Sequence, residues 1–85
     1  MQHKIFRSPH TYTGISRALA RYDGWRLPSK FELHQMLRSP LFRKQEGLFW
    51  SSHVRHDGYV TQLGRRNCEC IALPNITGRV VLVKR

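Results

Sequence analysis

The amino-acid sequence predicts an α+β protein, in which two short helices precede an antiparallel β-meander. Apolar residues recur at helical spacing as far as residue 37, whereas from residue 48 onward short apolar runs alternate with turn sequences containing Gly, Asn and Asp. The last of these runs, Val80–Val83, is continuously apolar, which is typical of a central strand covered on both faces. A chain of 85 residues can build one small core, so we expect a single domain spanning residues 1–85.

The first helix is predicted to follow a short strand at residues 3–6. We expect the helix to have Thr13 as its N-cap and to end at Asp23-Gly24. Its apolar face consists of Ile15, Ala18, Leu19 and Tyr22. Arg17 and Arg21 are four residues apart, so they lie together on a different face of the same helix.

The second helix has a clearer start signal. Ser29 stands at the N-cap position and Glu32 follows three residues later, so a capping box can satisfy two backbone N–H groups. Ser39-Pro40 ends the helix because proline cannot continue it. The inward face consists of Leu33, Met36 and Leu37, and another face consists of Phe31, His34, Gln35 and Arg38. We expect Phe31 to pack under a neighbouring loop; the alternative is that it stays exposed beside His and Arg as a contact surface.

The second half of the chain is predicted to form the meander. Its strands are Leu48–Val54, Tyr59–Leu63, Cys68–Leu73 and Arg79–Arg85. Turns at residues 55–58, 64–67 and 74–78 connect them. Hairpin tips are exposed by geometry, so side chains in these turns can meet a partner.

The charge of the chain indicates what kind of partner it has. Fifteen Lys and Arg residues face five Asp and Glu residues, which gives a formal net charge of +10. Arg predominates among the cations, and its planar side chain binds phosphate and carboxylate in a bidentate geometry. Asp23 and Asp57 stand in Asp-Gly turns and Glu32 in the capping box, which leaves Glu46 and Glu69 as free partners for the cations. The sequence therefore predicts an anionic partner.

Composition also argues against several classes of protein. No apolar run approaches the ~18–20 residues that a membrane-spanning helix needs. Two cysteines cannot staple a secreted disulfide scaffold, and the opening residues lack the apolar segment of a signal peptide. We therefore expect a protein of the bacterial cytoplasm with no membrane partner, and the oligomeric state stays open.

Three segments in order carry a resemblance to a known family. They are Asp23–Ser29 followed by Glu32-Leu33, then Gly47–Ser52, then Gly78–Arg85. Over residues 14–85 they resemble the pattern WRLP-T/S-x-x-E-L, G-x-Y/F-W-S-S and V-R-x-V-R of a bacterial domain family. That family includes the C-terminal domains of collagen-like adhesins and relatives of the formylglycine-generating (sulfatase-modifying) enzymes. The resemblance implies a C-type-lectin-like fold, here in a reduced form because the chain is much shorter than typical members.

The side chains in these motifs are suited to hold a fold. Trp50 is large enough to anchor the core, Trp25 and Leu27 can bury before the second helix, and Arg26 can donate to backbone carbonyls. The enzymatic relatives need a reactive cysteine arrangement in a deep cleft, and no such spacing occurs here. Five acids also leave almost no ligands for a lectin-type calcium site. The resemblance thus implies a fold and argues against that activity.

No other catalytic arrangement is recognisable. No known spacing links Ser, Cys and His to a base and an orienting group, and no glycine-rich loop precedes a helix. The few carboxylates argue against paired-carboxylate chemistry. We therefore expect no enzymatic activity and no cofactor.

The cysteines and histidines leave one metal site open as an alternative. Cys68 and Cys70 are two residues apart on a predicted strand, so both thiols project to one face. With His53 and His56 on an earlier strand they form a candidate zinc set, although Cys-x-Cys is not the usual zinc-finger spacing. We favour the other interpretation, in which both cysteines are small, buried, reduced core residues.

Binding is the function that remains. The first candidate surface consists of Arg65 and Arg66 at one hairpin tip, Arg55 and His56 at another, and Lys84 and Arg85. A second patch consists of Arg17, Arg21, Arg38, Arg43 and Lys44. We expect a small binding protein, of the modulator or inhibitor type that phages and mobile elements encode, which docks on an acidic protein surface through its arginine-rich tips. The alternative is a nucleic-acid-binding protein that uses phosphate contacts; against it, no known motif is present and the aromatic residues are not interleaved with the basic ones.

Overall fold

Two short helices and three small sheets make up the computed structural model, which describes residues 2–42, 44–65 and 68–85. The helices are α1 (Tyr12–Ala18) and α2 (Lys30–Arg38), and each is followed by a 3₁₀ turn, at Leu19–Arg21 and Pro40–Phe42. The strands are β1 (His3–Ile5), β2 (His10–Thr11), β3 (Trp25–Arg26), β4 (Phe49–Val54), β5 (Val60–Leu63), β6 (Glu69–Ala72), β7 (Thr77–Gly78) and β8 (Val81–Lys84). The predicted α+β class is confirmed. No helix in the described part of the chain has the length and apolarity that crossing a membrane requires.

The start of α1 lies two residues earlier than predicted. Thr11 is the N-cap, and its hydroxyl accepts a hydrogen bond from the Gly14 N–H at 3.0 Å. The prediction of Thr13 was wrong because the pairing of β2 with β7 places the helix start directly after Thr11. Both threonines are suitable caps locally, so a long-range contact decides between them.

The start of α2 is as predicted. The Ser29 hydroxyl accepts from the Glu32 N–H at 3.1 Å, and the Glu32 carboxylate accepts from the Ser29 N–H at 2.9 Å. The helix ends with Ser39 as its C-cap, before Pro40. Leu33 and Leu37 are buried on its inner side, as the apolar spacing predicts.

Arg26 holds the beginning of α2 to β3. Its guanidinium donates two hydrogen bonds to the Glu32 carboxylate, at 2.6 and 2.8 Å, and one to the Leu27 carbonyl at 3.3 Å. The prediction named only backbone carbonyls as acceptors. Together with the Ser29 bond, this guanidinium lowers the pKa of Glu32 from its ordinary value of 4.5 to about 2, and the Arg26 hydrogen bonds are the largest cause.

The main sheet has the order β1–β8–β3, with both pairs antiparallel. All four residues of Val80–Val83 are buried, which confirms the prediction of a central strand. A second sheet has the order β4–β5–β6 and is the predicted meander. The prediction that the last strand continues this meander was wrong. β8 pairs instead with strands from the first third of the chain, and such distant partners leave no local sequence signal.

β8 separates two clusters of buried side chains, since successive residues of a strand point to opposite faces. Val80 and Leu82 pack on the side of α1, in a cluster that also contains Ile15, Leu27, Trp50, Val60 and Ala72. Val81 packs on the side of α2, in a cluster that also contains Leu33, Leu37, Phe42, Phe49 and Leu63. The two helices therefore lie on opposite sides of the main sheet.

Trp50 anchors the first cluster, as predicted. Its side chain is fully buried, and its Nε1 donates to the His10 carbonyl at 2.8 Å. Gly78 lies directly against it, because a Cβ at that position would be 2.9 Å from Nε1. The neighbouring Ser51 hydroxyl donates to the Thr61 carbonyl at 2.7 Å, which joins β4 to β5 inside the core.

Candidate binding surface

The predicted hairpin tips lie at opposite ends of the second sheet. Arg55 and His56 belong to the β4–β5 turn, whereas Arg65 lies in the β5–β6 connection. Arg66 lies outside the described residues. Consecutive hairpins turn at alternate ends of a meander, so the structure does not join the two tips into one surface.

The second predicted patch is also divided. Arg17 and Arg21 flank a shallow depression on the α1 side of the main sheet. Arg38 lies on α2, on the other side of that sheet, and Lys44 is exposed beyond the 3₁₀ turn that follows α2. Arg43 lies outside the described residues. Arg17 and Arg21 therefore cannot act together with Arg38 on one flat partner.

Lys84 belongs to a cluster on the main sheet. Its Nζ lies 5.0 Å from the ring centre of Trp25, and the Nζ of Lys4 lies 5.1 Å from the same centre. We call Lys4, Trp25 and Lys84 the Trp25 clamp. The expectation that aromatic and basic residues are not interleaved was wrong here. Lys4, Lys84 and Trp25 belong to the neighbouring strands β1, β8 and β3, so the basic and aromatic side chains come together across the sheet and not along the sequence. Arg85 follows, with its N–H donating to the Gly24 carbonyl at 2.7 Å.

A groove of about 390 Å³ gathers basic residues from several elements, between the start of α2 and the second sheet. It is lined by Lys30, His53, Val54, Arg55, His56, Thr61, Glu69 and Ile71. We call it the basic groove. Its lining carries a formal charge of +1 with neutral histidines and +3 with both histidines protonated.

Two ion pairs shape the basic groove. The Lys30 Nζ lies 2.5 Å from a Glu69 carboxylate oxygen, and the Arg55 guanidinium lies 3.2 Å from Asp57. The expectation that Glu69 is free was wrong, because β6 lies beside the first turn of α2. The hydrogen bond from Lys30, aided by the positive potentials of Lys30, His34 and His53, holds the pKa of Glu69 below its ordinary value.

The outer side of α2 carries an exposed aromatic residue. Phe31 is 71% exposed, so the expectation that it packs under a loop was wrong, and the alternative of an exposed Phe is the one observed. Leu33 and Leu37, with Met36 partly buried beside them, form the side of the helix that packs against the core. We call Phe31, His34, Gln35 and Arg38, which line one depression, the α2 face.

The α2 face adjoins the basic groove. Lys30 and His34 are one helical turn apart, and both act on the carboxylate of Glu69, which lines the groove. Phe31 lies with His34 and Arg38 on the α2 face and does not line the groove, so Lys30 and His34 connect this apolar anchor to the cations of the β4–β5 turn. Of the predicted site residues, Arg38, Arg55 and His56 belong to this combined surface. The helical spacing in the sequence predicts the α2 part of this combined surface. It does not predict the rest, because only the fold brings β4 and β6 beside the helix.

Both cysteines are exposed, and they do not form a disulfide. The expectation of buried thiols was wrong because β6 is the edge strand of its sheet and residues 69–71 are exposed. Among the residues that the structure describes, no three His, Cys, Asp or Glu side chains are grouped so as to hold a metal ion. The zinc set of Cys68, Cys70, His53 and His56 is therefore not assembled.

Comparison with known proteins identifies no relative whose function could be transferred to these surfaces. No protein-family model, curated protein or solved structure matches this chain. The exposed side chains, charges and strand edges of the described residues are therefore what indicate a function.

Proposed function

We propose that this protein is a small non-enzymatic binding protein, a modulator or inhibitor that docks on an acidic protein surface through the α2 face and the basic groove. Phe31 carries the proposal. It is a large aromatic side chain, 71% exposed, with His34 and Arg38 beside it on the same helix.

The energetics of interfaces favour this arrangement. Binding energy concentrates in a few aromatic and Arg side chains that enter pockets of a partner, surrounded by a polar rim. Transfer of the exposed part of Phe31 from water into such a pocket contributes roughly 2 kcal/mol. Arg38, which has no ion-pair partner among the described residues, then meets carboxylates at the rim, where it raises the association rate and selects against basic partners.

The sequence resemblance supports a recognition role by analogy, because C-type-lectin-like folds commonly serve recognition of proteins or glycans. The analogy concerns the fold class and names no partner. The acidic character of the partner comes instead from the net charge of +10 and from the cations around Phe31.

A selection from a random peptide library displayed on phage tests this proposal. We expect the selected peptides to be rich in Asp and Glu and to contain an apolar residue for Phe31. In fluorescence anisotropy, Phe31→Ala and Arg38→Glu should each weaken binding by about tenfold or more. Ile76→Ala is the matched control, since it removes another exposed apolar side chain, 49% exposed, from the turn before β7. Peptides without acid enrichment, or unchanged binding by Phe31→Ala, would contradict the proposal.

A second candidate function is nucleic-acid binding, and the Trp25 clamp favours it. Two ammonium groups lie within about 5 Å of one ring centre, and neither has an ion-pair partner among the described residues. Phosphate oxygens are suitable partners for two such cations.

Titration of labelled single-stranded DNA, duplex DNA and RNA at increasing salt tests this second candidate. Binding through phosphates gives a linear fall of log K with log salt concentration. Changing Lys4 and Lys84 together to Gln should make that slope shallower by about 1.5–2, while Phe31→Ala should leave it unchanged. Absence of binding near physiological salt would remove this candidate.

A further inference from the structure

β6 has one edge that pairs with β5 and another that faces outward. The sheet order β4–β5–β6 places β6 at the end, and no described strand covers its outer edge. Its register is Leu63 opposite Glu69 and Gln62 opposite Cys70. An edge strand of this kind presents unpaired backbone donors and acceptors.

The hydrogen-bond pattern shows which backbone groups face outward. The Gly64 N–H donates to the Cys68 carbonyl at 2.8 Å, so the pair at this position is a hydrogen-bonded one. Such pairs recur at every second residue of an antiparallel ladder, which makes Cys70 the next one. The N–H and C=O groups of Glu69 and Ile71 therefore point away from β5.

The sequence of β6 contains no Lys, no Pro and no bulge, and its one charged side chain, Glu69, is paired with Lys30. Natural edge strands are commonly blunted by Lys, by Pro or by bulges. β6 reads Glu-Cys-Ile-Ala, pairs with β5 in continuous register, and exposes its first three residues. Ile71 is 46% exposed and, together with Glu69, it also lines the basic groove. The open edge and the groove are thus parts of one surface.

We propose that the outer edge of β6 binds an extended acidic segment of the partner protein, which adds to the sheet as a fourth strand. The acidic character rests on the proposed function above. Main-chain bonds to Glu69 and Ile71 hold the segment, and every second side chain of the segment points to the face that carries Lys30 and His53. A second copy of this chain is a poor occupant, because two chains of charge +10 repel each other.

The experiment uses a short labelled peptide in which Glu alternates with Val or Thr. Ile71→Pro removes the outward N–H and leaves the ladder to β5 intact, since an edge strand tolerates proline where its N–H faces solvent. Ile71→Ala is the matched control, because it shortens the same side chain and keeps the N–H. We expect Ile71→Pro to weaken binding by about tenfold and Ile71→Ala by less than about threefold.

Amide hydrogen exchange gives a second readout that needs no variant. In the free protein, the amides of Glu69 and Ile71 should exchange fast and that of Cys70 slowly. In the complex, all three should be protected. This measurement decides the matter even if Ile71→Pro does not fold.

The proposal for the edge and the proposed function can fail separately. Equal binding by Ile71→Pro and Ile71→Ala, unprotected Glu69 and Ile71 amides in the complex, or no binding of the strand peptide would each overturn strand addition. The phage-selected acidic peptides and their dependence on Phe31 would be unaffected by that outcome. If a peptide with Gln in place of Glu bound equally well, the acidic character of the segment would be refuted instead.

Discussion

Replacing Glu32 by Gln should destabilise the protein at neutral pH, by an amount that decreases as the pH falls. The Glu32 carboxylate accepts two hydrogen bonds from Arg26, at 2.6 and 2.8 Å, and one from the Ser29 N–H at 2.9 Å. These bonds lower its pKa from 4.5 to about 2. Gln keeps the size of the side chain and removes the charge.

The magnitude follows from this lowered pKa. Each pKa unit corresponds to 1.36 kcal/mol, so the full effect on the free energy of unfolding is ~3 kcal/mol. The Arg26 side chain is 37% exposed and that of Glu32 is 21% exposed, so water screens part of the attraction. We therefore expect a loss of roughly 1.5–2 kcal/mol at pH 7.

The sign of the pH dependence is fixed by the direction of the pKa change. The unfolded chain binds a proton on Glu32 near pH 4.5, whereas the folded chain binds it only near pH 2. The stabilisation is therefore complete above about pH 5 and is lost as the pH falls from there toward 2. By about pH 3, roughly half of the difference between wild type and variant should be gone.

Urea unfolding followed by tryptophan fluorescence, in buffers between pH 7 and pH 3, measures this difference directly. Glu46→Gln is the control, since Glu46 is exposed and has no ion-pair partner among the described residues. It should change stability by less than about 0.5 kcal/mol. A Glu32→Gln effect that is the same at pH 7 and pH 3, or that is no larger than that of Glu46→Gln, would refute the reasoning.

Further predictions concern the core and the thiols. Gly78→Ala should cost about 2–3 kcal/mol in urea unfolding, because its methyl group would press on the buried side chains of Gln62 and Trp50. Gly58→Ala, in open space with φ +89°, should cost only about 1 kcal/mol, and the reverse order would contradict this packing. Trp50→Phe should cost about 2–3 kcal/mol, because it removes the Nε1 hydrogen bond and leaves a void, and a loss below about 1 kcal/mol would show that the site relaxes. Cys68 and Cys70 should both react with an aromatic disulfide reagent in the folded protein, as followed by absorbance, and a thiol that reacts only after unfolding would contradict its exposure.

The sequence predicted best those features that depend on neighbouring residues. The Ser29–Glu32 capping box, the end of α2 before Pro40 and the burial of Trp50 each follow from side chains a few residues apart or from size alone. The choice of Thr11 over Thr13 was not predictable, because the pairing of β2 with β7 decides it. Local chemistry thus determines where helices and strands form, and long-range pairing determines the residues at which they begin and end.

The candidate site was less predictable for the same physical reason. Arg38, Arg55 and His56 were identified by exposure and charge, but the basic groove exists only because α2 lies beside β6. The pairing of Lys30 with Glu69, residues distant in sequence, has no signal in either segment. Cys70 was expected in the core because its position at the sheet edge depends on which strand pairs with which.

The central position of β8 also affects how the protein is made. Val83 pairs with His3 on one side and with Arg26 on the other, so the main sheet connects residues separated by almost the whole described chain. Both apolar clusters depend on this strand, which the ribosome synthesises after the other helices and strands described above. Neither cluster can close during translation until β8 has emerged, and contacts this distant in sequence fold slowly. During translation, the first half of the chain is therefore exposed without β8, its main packing partner. Chaperones have the longest opportunity to bind it in that interval.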